Sequence, residues 1–179
     1  RWLAACVAAL LVACGVVHGD EIIWSEDLTA TLSQAGQSGK PIYVYIYYAP
    51  LLACQRTVVD TFQHSEVIRL LQGFECCALE ATDQANKDFV ARHARALASD
   101  PTTNTTAGMF PAHVFLDAGG KVQYRCWGYI PGPGFAIVVE RVQELMRLRR
   151  LCAQNPDDPR ALADLGHLMM TLAQTGDIS

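Results

Sequence analysis

Three spacings of apolar residues succeed one another along the chain. The first is continuous: Leu3 to Val17 are apolar or small without one charge, behind a lone Arg1. The second is a run of seven residues, Ile42 to Tyr48, all apolar or aromatic and opened by Lys40-Pro41. That is too short for a buried helix and rich in strand formers, so it predicts a strand buried on both faces. Ala49-Pro50 ends it, because proline donates nothing to a ladder and restrains the residue before it. The third spacing is helical: after a short turn, Cys54 opens a pattern with Val58, Val59 and Phe62 on one side. A cysteine between a strand and the N-terminus of a helix sits where the helix dipole can activate a thiol.

Shorter elements are predicted around this centre. Ile22-Ile23-Trp24 reads as a first strand, and Ser25 as the N-cap of a helix with Leu28, Leu32 and Ala35 on one face, ending between Gly36 and Gly39. Ser65 caps a helix with Val67, Leu70 and Leu71 inward, stopped by Gly73. Phe74 to Leu79 reads as a strand whose adjacent Cys76 and Cys77 point to opposite faces, as buried small hydrophobes rather than as a bonded pair. Gln84 to Ala98 is an amphipathic helix carrying Phe89, Val90 and Leu97, and Ser99 to Thr106 is a polar loop. Ala112 to Leu116 is a strand, Asp117-Ala118-Gly119-Gly120 a hairpin turn, and Lys121 to Trp127 the returning strand. A helix follows with Phe135, Val138, Val142, Leu145 and Met146 inward. Asp158 then caps a last helix with Pro159 at its first position and Leu162, Leu165, Gly166 and Met169 along it.

Lys40 to Phe62 resembles the thioredoxin superfamily, especially its bacterial envelope branch. In that family a buried strand leads into an Ala-x-x-Cys-x-x-Cys turn and a helix ending in Phe. Ala49 fits the alanine, Cys54 the second cysteine, and Phe62 the phenylalanine. Leu51 stands in the place of the first cysteine, so the motif reads Leu51-Leu52-Ala53-Cys54, and Tyr45 stands where many thioredoxins keep a buried acid. Phe110-Pro111 matches the cis-proline that the family carries beside the cysteine turn. The resemblance spans Trp24 to Leu148 and implies an α/β fold in three layers: a central mixed β-sheet flanked by helices, with a C-terminal helical extension. The last helix resembles, weakly, the first helix of a tetratricopeptide repeat, with a plain capping helix as the alternative. The organisation expected is a leader over residues 1–19, a thioredoxin-like domain over 20–150, a linker over 151–158 and a helix over 159–179.

Composition adds limits. The 179 residues suffice for one domain with a sizeable core, and 51% apolar with 18% charged residues describe a globular chain. The formal charge of −4 gives no footprint for nucleic acid or an anionic membrane surface. Arg141, Arg147, Arg149 and Arg150 gather near a helix end, where cations complement the dipole. The segment Leu3 to Val17 matches a secretory signal. Cleavage after Val17-His18-Gly19 is the favoured reading; the alternative is a lipoprotein leader, since Leu11-Val12-Ala13-Cys14 resembles a lipobox that would lipidate Cys14. Either destination is an oxidising envelope or secreted compartment.

Of seven cysteines, Cys6 and Cys14 belong to the leader, and the remaining five are an odd number, so one at least stays unpaired in a monomer. No Cys-x-x-Cys pair or Cys/His cluster has zinc spacing, and neither metal nor cofactor is expected. His64 and His93 have no motif around them and read as cap and surface residues. The alternation of Tyr43, Tyr45 and Tyr47 reads as strand packing.

Three fates remain for Cys54: a core cysteine packed beneath a hydrophobic turn, an active monothiol, or a partner in a disulfide with a distant cysteine. Two function classes follow. In one, the scaffold binds a protein or an extended peptide without catalysis, at Leu51, Leu52, Phe110 and Pro111. In the other, a thiol–disulfide oxidoreductase acts through Cys54 alone.

Overall fold

The computed structural model describes residues 21–94 and 109–178. Its centre is a six-stranded sheet in the order β1-β3-β2-β4-β5-β6. The strands are β1 (Trp24–Ser25), β2 (Ile42–Tyr47), β3 (Glu75–Glu80), β4 (Ala112–Leu116), β5 (Val122–Trp127) and β6 (Asp177–Ile178). β1, β3 and β2 run parallel, and β2, β4, β5 and β6 pair antiparallel, so the sheet is mixed. The residues of β2 sort by parity. Tyr43 and Tyr45 enter one core with Cys76, Phe115, Tyr124 and Cys126, while Ile42, Val44 and Ile46 enter the other with Cys77, Leu79 and Val114. A strand buried on both faces is what the uninterrupted run required.

Helices cover both faces. Against the aromatic face lie α3 (Ser65–Leu71) and α5 (Gly132–Gln154), through Val67, Leu70, Phe135, Val139 and Leu145. Against the other lie α1 (Leu28–Ser38), through Ala35, and α4 (Lys87–His93), through Phe89 and Val90. The three-layer α/β architecture expected from the sequence is the one observed. The bond between Phe110 and Pro111 is cis.

Several local expectations need correction. Asp27, not Ser25, caps α1: its carboxylate accepts from Thr29 N and Ala30 N at 2.8 and 3.0 Å. Its inward face is Thr31 and Ala35, because the Thr31 hydroxyl donates to Asp27 O at 2.8 Å and so enters the core satisfied, while Leu32 stays exposed. Residue His64 occupies the N-cap of α3, with no side-chain cap bond, and Ser65 is its first helical residue. The helix predicted over 84–98 begins as a 3₁₀ turn at Gln84–Asn86 before α4. His93 is not a surface residue: it is half-buried against Phe89 at 4.2 Å between ring centroids, and burial brings its pKa down to about 4. Helix α5 runs on to Gln154, into the stretch read as linker.

The end of the chain holds an element that the sequence reading did not foresee. Helix α6 (Pro159–Leu172) is capped by Asp158, with Pro159 at its first turn as expected. It packs against α5 and buries Ala161 and Leu172, whereas Leu162 is exposed. β6 then returns to the sheet, pairing Tyr124 with Ile178 and Arg125 with Asp177. Gly176 permits this close approach, since a Cβ there would overlap the Arg125 carbonyl and the Tyr124 ring. The leader with Cys14, and the loop over 99–106, lie outside the described residues.

Candidate functional site

The site candidate is the turn at the end of β2. β2 ends at Tyr47 opposite Glu80 of β3, and Ile46 pairs with Ala112, so Pro111 enters the sheet beside the same end. The chain turns at Tyr48–Leu51, where Leu51 N donates to Tyr48 O at 2.9 Å. Ala49 N donates to a carboxylate oxygen of Glu80 at 3.3 Å. Helix α2 (Leu52–Arg56) follows, with Leu51 at its N-cap and no side-chain cap bond. It continues as a π-helical segment, Thr57–Thr61. Such an extra-wide turn rotates the residues after it, and single turns of this kind often occur at functional sites.

Phe62 faces inward as expected, but the rest of the inner face differs. Cys54, Thr57, Thr61 and Phe62 are buried, while Val58 and Val59 are exposed. The threonines enter the core because their hydroxyls are satisfied. Thr57 donates to Ala53 O at 2.9 Å, and Thr61 to Ile130 O at 2.6 Å, tying the segment to the loop before α5. Tyr129 on that loop donates to the Asp60 carboxylate.

Cys54 is the third residue of α2, within its first turn, and faces inward, 2% exposed. Tyr48 N donates to its sulfur at 3.4 Å, and the Tyr45 hydroxyl donates to its carbonyl at 3.0 Å. Burial pushes the Cys54 thiol above its ordinary pKa, and the nearby Glu80 carboxylate adds to this. The Tyr48 N–H and the Tyr45 hydroxyl oppose the rise without cancelling it. Dipole activation needs an exposed thiolate, and desolvation outweighs it here. Tyr45, in the place of a buried acid, is itself buried, and desolvation drives its hydroxyl far above ordinary phenol values. It serves as a hydrogen-bond donor and not as a proton acceptor.

Among the described residues no disulfide joins Cys54 to a distant cysteine. Cys54, Cys76, Cys77, Cys126 and Cys152 are all free, the first four buried. Burial raises Cys76 and Cys126 to about 12 and Cys77 to about 11.

The other predicted residues divide sharply. Leu51 and Leu52 are exposed on the rim of the turn. Pro111 is buried, with its carbonyl accepting from Gly128 N at 2.7 Å, and Phe110 packs partly into the second core beside Phe89 and Trp127. A residue missed from sequence is His113, fully buried on β4. Its Nε2 bonds Gly128 O at 3.2 Å, and the carbonyl's need for a donor fixes the tautomer, so that Nδ1 accepts from the Tyr43 hydroxyl at 2.7 Å. Burial lowers its pKa to about 4. Its position within an apolar strand was the only available signal. Among the described residues no cluster of His, Cys, Asp and Glu is arranged to hold a metal.

A family model described as Thioredoxin-like matches residues 23–118, more than half of the chain. The chain belongs to the thioredoxin-like family. None of the curated proteins matches the sequence. Among solved structures, the fold is similar to one described as DsbH Oxidoreductase, with a TM-score of 0.52 and 18% identity over 70% of this chain and 86% of that one. It is also similar to a thioredoxin from Thermus thermophilus, with a TM-score of 0.53 and 20% identity over 68% of this chain and 87% of that one. At these identities the likeness speaks for the thioredoxin fold alone. No described helix is long and apolar enough to cross a membrane.

Proposed function

We propose that this chain is an exported, non-catalytic member of the thioredoxin-like family that binds a protein or an extended peptide on the outer surface of the turn after β2. One observation carries the reading. Tyr48, Leu51, Leu52, Val58 and Val59 are all exposed on this single stretch, Leu52 at 60% and Val59 at 70%, while the one thiol beneath them is 2% exposed. Clustered surface apolar residues are costly to keep in water and mark an interaction site. A dithiol exchange needs an attacking thiolate and a resolving thiol. Leu51 cannot attack a disulfide, and Cys54 is buried, which pushes its thiol above the ordinary pKa. Phe110 and Pro111 stand at the same end of the sheet, but the Pro111 carbonyl already accepts from Gly128 N, so the contact is assigned to the exposed apolar side chains after β2. Export, to the periplasm or another envelope compartment, is inferred from the apolar stretch Leu3–Val17, with a lipid anchor on Cys14 as the alternative.

Insulin reduction tests the reading directly. The native protein is expected at background, and Leu51→Cys, which restores the dithiol spacing, is expected to raise the rate. The competing function, a monothiol oxidoreductase, draws on the oxidoreductase named among the similar structures. Turnover by the native protein that Cys54→Ser abolishes would establish that function in place of binding. In native buffer the Cys54 thiol is expected to resist alkylation and to react only once the chain is denatured, as mass mapping will read.

A further inference from the structure

Behind the turn, between β1 and the π-helical segment, a groove of about 660 Å³ opens onto the surface. Its wall is aromatic: Trp24, Tyr45, Tyr47 and Phe62 line it. Trp24 lies 4.9 Å from Phe62 and 6.1 Å from Tyr45 between ring centroids, and Tyr45 and Tyr47 stack at 5.4 Å. Glu21 and Glu26 also line it, and no Lys, Arg or His does. The ion pairs found among the described residues involve Glu66, Glu144 and Asp177, and neither of these two carboxylates.

A neutral apolar occupant would fill the aromatic wall but would leave the two carboxylates at its rim without a partner. An anion would be repelled. The group that satisfies both features has an apolar stem and a cationic head, since ring faces attract cations and long basic side chains lay their methylenes on apolar surface. Val58, part of the exposed apolar surface of the turn, also lines the groove, so the two surfaces are contiguous. We propose that the groove between β1 and the π-helical segment receives a lysine or arginine side chain of the partner peptide. This rests on the peptide-binding reading above and specifies its partner: an apolar segment flanked by a basic residue.

The test uses the full chain and single-residue probes too small to need the turn. N-acetyl-arginine amide, N-acetyl-lysine amide and N-acetyl-norleucine amide are titrated separately, followed by NMR shifts of the Val58, Ile68 and Ala78 methyls and the Trp24 indole. The two cationic probes are expected to give saturable shifts there, with norleucine amide weaker by roughly tenfold, the scale of one cation–π or ion-pair contribution. Glu21→Gln with Glu26→Gln, both at exposed positions, is expected to weaken the cationic probes several-fold, and added salt should do the same. Equal binding of norleucine amide, shifts mapping elsewhere, or indifference to the glutamate changes would overturn the proposal. So would probe binding seen only after the residues before Glu21 are removed, which would mean that the chain's own segment fills the groove. Leu52→Ser with Val59→Ser separates the two readings. It is expected to abolish binding of a longer apolar peptide while leaving the single-residue probes unaffected.

Discussion

The turn after β2 and the strap formed by α6 and β6 handle apolar residues in opposite ways. In the strap, Ala161 and Leu172 are buried, Leu165, Leu168, Met169 and Ile178 pack against the core, and Thr175 and Asp177 bond Tyr124 and Arg125, with Leu162 and Met170 on the outer side of the helix. Each of these contacts is explained by folding. On the turn, Leu51, Leu52, Val58 and Val59 stay outside, while the threonines between them go in. A chain able to bury the apolar side of its last helix keeps four aliphatic side chains in water where its family carries reactive chemistry. Core packing does not account for them, and this is what supports the proposed binding surface.

Both regions rest on one buried group, which offers the largest way to break the comparison. His113 faces Tyr43 and Tyr45 of β2, under the turn, and pairs across to Cys126 of β5, which carries the strap. Its folded pKa of about 4 lies below the ordinary value, so between about 6.5 and 4 the unfolded chain takes up a proton that the folded chain refuses. Stability is therefore full above about pH 6.5 and falls as pH drops through that window, by about 3 kcal/mol. His93 acts in the same direction and window with a smaller effect, being half-exposed. Urea denaturation from pH 7.5 to 4 is expected to show this slope, and His113→Gln to remove most of it while His93→Gln removes little. If His93→Gln removes most of it, His113 is not the common support.

Next in size is the strap alone. Gly176→Val forces a side chain into the Arg125 backbone, and displaced backbone of this kind costs on the order of 1–3 kcal/mol. Hydrogen exchange is expected to rise at β5 and β6 and to stay unchanged at Cys54 and Thr57. Protection lost at the turn as well would mean that the two regions are one cooperative unit.

The smallest effect on stability is expected where binding changes most. Leu52→Ser with Val59→Ser alters exposed positions and should leave the unfolding free energy within about 0.5 kcal/mol. A loss well beyond that would show these side chains to be structural and would remove the ground for a binding surface.

The sequence pattern by itself determined the central strands, and the resemblance to the thioredoxin family supplied the layers. An uninterrupted apolar run from Ile42 has one stable solution, a strand covered on both faces, and the parity of Cys76 and Cys77 assigned each to its own core. Asp158 with Pro159 was legible because local backbone chemistry decides it, and the cis bond before Pro111 because Phe110-Pro111 matches a motif of the thioredoxin family. What periodicity could not give was the inner face of the helix after the turn. Val58 and Val59 outrank Thr57 and Thr61 in hydrophobicity, yet the threonines are buried, because a carbonyl on a loop distant in sequence, Ile130 O, satisfies Thr61. The same holds for Cys54, whose thiol is set by the packing of Tyr45 and Tyr48 around it and not by its place after a strand. The return of β6 was equally hidden, since two residues of strand carry no pattern and Gly176 reveals its purpose only against Arg125. Local propensity speaks through neighbours in the chain; hydrogen-bond satisfaction and burial are settled by neighbours in space.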